Sequence, residues 1–444
     1  MSTPEPPFDL LVRGGLLVVP GGPDGVAVAE GDVAVRDGRI VGVGDLPHRF
    51  AAQVLDATDS VVMPGLVNSH MHECLERGIF EDLPFTRWLQ EFALPKDRAY
   101  EPRHQRAAAL LNQLEMIRGG TTTFIDIFRH PDQAAEVAVS SGLRAVISPQ
   151  VIDRPPGPGE TLEANLDFVR RWQDRCSRVR PWFGPHALYS CDEETFAVMS
   201  EEAARRGLGM HTHLAESGAE TAEIMERTGL RPAAYLDRLI GPGHSVLIAH
   251  GVHLDRADID LVAARGWAVA HCPTSNMKLG NGTAPVPEMI AAGVTVGLGT
   301  DSVMTNNDLD MFEEMRLAAL VQKLRLGDAE VMPVGQVIGL ATTASAAAVG
   351  LSGITGSLQE GAAADLTVVG LDQPHMWPVQ WGELSNVAEH MVYAAHASDV
   401  RSTVVAGRVL MEDRVVATID AAEVKDLVER ETADLLIKAG ILRG

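Results

Sequence analysis

Lysine is scarce in this chain of 444 residues: Lys96, Lys278, Lys323, Lys425 and Lys438 are all there are, and none lies between the first two. With 37 Lys and Arg against 60 Asp and Glu, the formal net charge is −23. A field of that sign repels phosphate backbones and anionic lipids, which argues against nucleic-acid binding and membrane-surface attachment through a basic face. No apolar run approaches the roughly 18 residues needed to span a bilayer, so an integral membrane protein is excluded as well. Cys74, Cys176, Cys191 and Cys272 are too few and too scattered for a disulfide framework, form no CxxC pair, and read as small buried hydrophobes. The start MSTPEPPFDLLVRGG has acids and prolines where a secretory leader needs a basic and then a long apolar stretch, so the expected location is cytoplasmic. There is no Gly-Lys pair, no GxSxG and no HExxH, which removes Walker phosphate loops, serine-hydrolase elbows and zincin helices.

What is present is a change of rhythm. Up to about residue 63 the chain shows short β-rich runs separated by glycine and turn pairs, among them GDVAVRDGRIVGVG with its Asp37-Gly38 turn, which predict antiparallel hairpins. From about residue 64 to 356, amphipathic helical stretches alternate with short apolar runs, as in DEETFAVMSEEAARRG before LGMHTHLAE and RADIDLVAARG before WAVAHCP. Several helices close at a Gly immediately before the next run. This alternation predicts a parallel sheet covered by helices, with about eight strands closing a (β/α)8 barrel. The hairpin style resumes after residue 356, so residues 1–63 and 357–420 are expected to pair into one small β-sandwich domain. Residues 421–444 read as a terminal amphipathic helix.

The chemistry resides in histidines and acids at the ends of the apolar runs. His70 and His72 are two apart, so on a strand they leave the same face and can share a metal ion. His213 ends LGMHTHLAE, with Glu216 three residues later; His211 shares its face, and spacing alone does not choose between the two histidines. His250 ends SVLIAH, His271 ends WAVAH, and Asp301 ends VTVGLGTD. In a β/α barrel the carboxyl ends of the strands form the catalytic face, so histidine or aspartate at successive strand ends is a functional pattern.

These segments, VVMPGLVNSHMH, FGPHALYS, MHTHLAES, VLIAHGVHLD, HCPTSNMKLGNGTAPVPEM and VGLGTDSVMTNNDLDMFEEMR, resemble the amidohydrolase superfamily in its cytosine-deaminase and chlorohydrolase-like branch. The resemblance spans essentially the whole chain and implies a distorted (β/α)8 TIM barrel with a β-sandwich made from both termini. It further implies His70, His72, His213 and Asp301 as metal ligands, with the HxxE register selecting His213 over His211. Glu216 is the implied proton-transfer acid, His250 the histidine that orients the attacking water, and His186 of the GPH motif a substrate contact; Ser302, next to Asp301, is a further candidate contact. Two-metal members bridge their ions through a carboxylated lysine on the fourth strand. The lysine gap covers that region, so one divalent ion is expected, zinc or alternatively iron(II).

Three neutral imidazoles and one carboxylate leave a divalent ion net positive with an open position, where water ionises near neutrality. The expected reaction is attack of hydroxide on an electrophilic carbon of an amino-substituted N-heterocycle. Asp301 takes the water's proton, Glu216 protonates the ring nitrogen, and ammonia leaves. The segment RGIFEDLPFTRWLQEFALPKD resembles the loop after strand one in S-adenosylhomocysteine/5′-methylthioadenosine deaminases. That likeness makes Asp97 the candidate for the ribose hydroxyls, against a plain helix-start acid, and Trp88 a candidate base contact, against core packing. Two departures bear on the substrate. HECLERG brings Arg77 about two residues closer to His72 than the family pattern does. Pro149 and Thr161 stand where members that bind a homocysteine carboxylate supply arginines, with Arg154 the nearest substitute. The expected partners are therefore water and an adenosine-type nucleoside, with a pterin, guanine-type base or triazine as the alternative, in a homo-oligomeric enzyme. An inactive barrel kept as a scaffold is disfavoured because no ligand is missing.

Overall fold

The structure is a computed structural model and describes residues 7–21, 25–46, 50–79, 81–82, 87, 89–154, 159–380, 382 and 384–443. Trp88 lies outside the described residues.

The N-terminal strands are β1 (Phe8–Pro20), β2 (Val26–Arg36), β3 (Arg39–Gly44), β4 (Ala51–Asp56) and β5 (Ser60–Pro64). The C-terminal ones are β15 (Leu366–Gly370), β16 (Val400–Val405), β17 (Arg408–Glu412) and β18 (Val415–Val416). Together they form one nine-stranded sheet, in which β5 lies between β1 and β15. The expected hairpin at Asp37-Gly38 joins β2 to β3, both turn residues having positive φ (51° and 70°). The expectation of hairpins throughout is corrected for β4 and β5. They do not pair with each other but run parallel to β1, β4 on Phe8–Arg13 and β5 on Leu16 and Leu17. The cause is a register shift in β1 between Val12 and Gly15, where Gly14 takes φ 78° and divides the strand into two halves. The sheet curls until the β2–β3 hairpin meets residues 361–364, with Ile40 N donating to Ala362 O (2.9 Å) and Ala364 N to Gly38 O (2.9 Å). The enclosed core draws Leu10, Val33, Val35 and Ile40 from one chain end and Leu358, Leu366, Val368 and Val404 from the other.

Between the two halves lies the barrel. Strands β6 (Leu66–Met71), β7 (Thr121–Phe128), β8 (Arg144–Val151), β9 (Val179–Pro181) and β10 (Gly184–Pro185) make one parallel sheet. A second contains β11 (Met210–Leu214), β12 (Val246–His250), β13 (Ala268–His271) and β14 (Thr295–Leu298). Parallel bridges Phe183–Met210 and Ala187–His213 join the sheets at one seam. At the other, Asp301 N donates to His70 O (3.0 Å) and Ser69 Oγ to Leu298 O (2.8 Å), which brings β14 against β6. Gly299 is required there, because a Cβ would sit 2.8 Å from the His70 backbone. The barrel strands are buried on both sides, as their continuous apolar runs require. A buried pair, Arg144 Nε to Asp365 Oδ2 at 2.8 Å, ties β8 to the residue before β15, while Asp365 Oδ1 accepts the Ala406 N–H. The C-terminal helix Ala421–Lys438, capped by Asp420, lies on helix Pro102–Arg118 through Arg103, His104, Glu431 and Asp434. Among the described residues no helix is long and apolar enough to cross a membrane.

Candidate active site

Five side chains from four strand ends converge in the barrel mouth. His70 is on β6 and His72 just after it, His213 is on β11, His250 ends β12, and Asp301 follows β14 by three residues. His250 (φ 74°), Asp301 (φ 60°) and Ala215 (φ 53°) are left-handed, turning the main chain sharply as each strand leaves the barrel. Two overlapping groups, His70–His72–His213 and His70–His250–Asp301, each bring three ligand atoms within 4.8 Å of one another.

The hydrogen bonds fix which nitrogen of each ring is available. His72 Nδ1 donates to Ile127 O (2.5 Å) and His213 Nδ1 to His186 O (2.9 Å). Burial holds both rings well towards the neutral form. Their Nε2 atoms therefore carry bare lone pairs, and these face each other at 3.2 Å. His70 Nδ1 meets His211 Nε2 at 2.8 Å, leaving a buried His70 Nε2 with no hydrogen-bond partner, and burial lowers its pKa to about 4. Asp301 Oδ1 stands 3.4 Å from both His70 Nε2 and His72 Nε2. Mutually facing acceptors in a dry site are repulsive unless a cation lies among them, so the donor set fits a divalent ion bound by imidazole and carboxylate. His211 supports His70 from behind, which separates it from His213 on geometry.

Asp301 divides its oxygens. Oδ2 accepts from Ser275 Oγ (2.5 Å) and Thr305 Oγ1 (3.0 Å), and Oδ1 accepts the Ser302 N–H (2.7 Å). Burial alone would raise this carboxyl, but the ring of histidines around it, His70 foremost, holds it well below the usual range. His250 Nδ1 rests on Asn276 Oδ1 (3.1 Å), and its Nε2 looks towards Glu216 Oε2 (3.8 Å) and Asp301 Oδ2 (4.0 Å). Glu216 Oε1 accepts from Asn281 Nδ2 (3.0 Å), its backbone N–H is held by Glu220, and burial pushes its pKa up despite His250. The His186 ring lies tilted against that of His213, centroids 4.6 Å apart, with Nδ1 on Ser190 Oγ (2.8 Å).

Other candidates stand further out. Ser302 Oγ accepts the Met304 N–H (3.0 Å) and contacts Cys74 Sγ (3.2 Å), so its hydroxyl is committed to the surrounding loops. Asp97 belongs to neither ligand group and is paired with Lys96. Arg154 is tied to Asp192 at 2.7 Å, which occupies the nearest substitute for a carboxylate-binding arginine. His271 ends β13 but lies outside both ligand groups. The groups this strand delivers come one turn later, from Ser275 and Asn276 on helix Pro273–Lys278. Those two were not singled out from the sequence; the available signal was a Ser-Asn pair following a strand-end His-Cys-Pro-Thr.

Glu314 underlies the loops carrying these groups, accepting from Asn306 Nδ2 (2.7 Å) and Thr274 N (3.4 Å) while fully buried. Burial raises its pKa to about 8. The folded chain thus keeps a proton that the unfolded carboxyl releases near pH 4.3, so stability falls as pH rises from about 5 to 8. Urea-unfolding free energies of the wild type minus those of Glu314→Gln should decline across that window, by at most about 1.4 kcal/mol per pH unit. A pH-independent difference refutes this.

Comparison with known proteins decides the family, because the pattern of the Amidohydrolase family matches residues 61–410, well over half of the chain. The chain belongs to the amidohydrolase family. Among similar curated proteins of this amidohydrolase is the 5-methylthioadenosine/S-adenosylhomocysteine deaminase of Haloarcula marismortui, 39% identical over 97% of this chain and 99% of the relative. The 5′-deoxyadenosine deaminase of Methanosarcina mazei is 38% identical over 94% and 96%. Among solved structures, an adenosine deaminase from Xanthomonas campestris with bound zinc superposes with a TM-score of 0.92 at 32% identity, covering 98% of this chain and 100% of that one.

Proposed function

We propose that this amidohydrolase is a metal-dependent aminohydrolase of an adenosine-type nucleoside, replacing a ring amino group by oxygen and releasing ammonia. The observation that carries the metal is the pair of bare Nε2 atoms of His72 and His213 at 3.2 Å, beside the unpartnered Nε2 of His70. His70, His72, His213 and Asp301 would hold the ion. The bound relative supports zinc, with iron(II) as the alternative. One ion is the proposed complement: both ligand groups share His70, and His186, not a lysine, follows the fourth barrel strand formed by β9 and β10. Metal analysis returning two tightly bound equivalents per chain refutes that number.

Bound there, the ion would supply water that ionises near neutral pH. Asp301 Oδ2, fixed by Ser275 and Thr305, receives the proton of the attacking water. His250, oriented by Asn276, directs that water with its bare Nε2. Glu216 faces the same spot from the other side, and its raised pKa suits a group that must arrive protonated. It delivers that proton to the ring nitrogen; the proton held by Asp301 then passes to the amino group, which leaves as ammonia while the new hydroxyl returns a proton to Glu216. The neutral His186 offers a hydrogen bond to the heterocycle. A role for Glu216 favours an amine leaving group, which needs protonation, over chloride.

The names of the similar proteins support the nucleoside class, and the test is ammonia release from metal-loaded enzyme across nucleosides, purine bases, pterins and triazines. The highest kcat/KM is expected for adenosine-type nucleosides. Turnover confined to the bases, pterins or triazines overturns the nucleoside assignment, and inertness towards all of them overturns the enzyme reading.

A further inference from the structure

Beside the proposed reaction centre lies a buried charged cluster that the chemistry above does not use. Lys96, on the short helix Leu94–Ala99, is only 1% exposed. Its Nζ stands 2.7 Å from Asp97 Oδ1 and 3.9 Å from Glu76 Oε2, with Met304 Sδ at 3.6 Å. The rings of Tyr100 and Phe128 close over it at 5.7 and 5.5 Å. Burial works against the ammonium, but Asp97 and Glu76 outweigh it and keep it charged. Both oxygens of Glu76 are buried without a hydrogen-bond partner. For stability alone such a cluster is a poor choice, since apolar side chains of similar volume serve a core at least as well.

Its position relative to the site gives it a use. The Phe128 ring packs edge-on against His72 at 6.0 Å, and Met304 belongs to the loop that begins at Asp301. Asp97 Oδ1 is buried against Lys96 while the side chain as a whole is 22% exposed, so the accessible oxygen is Oδ2. The main chain beneath is pinned by Arg129, which donates to Asp97 O. Without the ammonium, Asp97 and Glu76 would be two carboxylates repelling each other in one dry pocket, and nothing would hold the Asp97 side chain in its present rotamer.

We propose that Lys96 is a positioning residue: it holds Asp97 turned so that Oδ2 accepts hydrogen bonds from the vicinal hydroxyls of a ribose. This rests on the nucleoside reading of the site. In metal-loaded enzyme, Lys96→Met should lower kcat/KM for adenosine about 10–100-fold, mainly through KM, and change that for 2′,3′-dideoxyadenosine by less than about twofold. Asp97→Asn should show the same split, and the double variant should be no worse than either single one. Equal losses on both substrates, or losses that multiply in the double variant, overturn the proposal. A wild type indifferent to the two hydroxyls overturns the placement of Asp97 at the ribose, and the proposal with it. If thermal melting shows that Lys96→Met does not fold, Lys96→Gln is judged on the same pair of substrates by the same criteria.

Discussion

Replacing Glu216 with Gln should lower kcat about 10²–10⁴-fold, the range usual for losing a positioned proton carrier. The substitution is isosteric, and the Asn281 contact at 3.0 Å can be kept through the amide oxygen. Glu216 belongs to neither ligand group, so bound metal per chain should be unchanged. The loss should appear equally in kcat and kcat/KM, as expected for an interaction made only while the ring nitrogen gains its proton. Full activity in this variant refutes the assigned role, and a parallel loss of metal would show that Glu216 serves the ion instead.

The second large effect is expected at His213. Its Nδ1 is fixed by His186 O and its Nε2 faces His72 Nε2, so His213→Ala opens the ligand set without touching the backbone ladder of β11. Activity should fall by about four orders of magnitude or more, because acidification of water from a pKa of 15.7 to near 7 depends on the ion. Metal content, measured directly, should fall with it. His211→Ala is the control. It removes only the support behind His70 Nδ1 and should cost about 10–100-fold in metal affinity. Equal effects of the two substitutions would contradict the distinction drawn from their geometry.

That distinction illustrates where sequence reading reaches. Period-two spacing places His211 and His213 on one face; the family resemblance selects His213, and the fold supplies the physical reason, with His211 turned to His70 and His213 to the centre. Strand-end histidines were legible because a strand's last residue is recognisable from the apolar run before it. Ser275 and Asn276 were not, because they act from a one-turn helix whose orientation is set by tertiary packing. The parallel placement of β4 and β5 was hidden for a related reason: a register shift at Gly14 changes strand partners, and hydrophobic alternation carries no trace of it. Lys96 was noted as the edge of the lysine gap, while its burial depends on Tyr100 and Phe128, which a linear pattern does not bring together.

The position of β5 between β1 and β15 has a consequence for how the chain is made. β5 emerges from the ribosome early, with Val61, Val62 and Met63 along it, and its second neighbour is synthesised roughly 300 residues later. At about 5–20 residues per second this strand waits about 15–60 s with one backbone edge unpaired, while the whole barrel is being translated. An apolar edge left open for so long is a template for pairing with other nascent chains. Yield in a cell should therefore depend on translation rate and temperature more steeply than the stability of the finished fold would indicate.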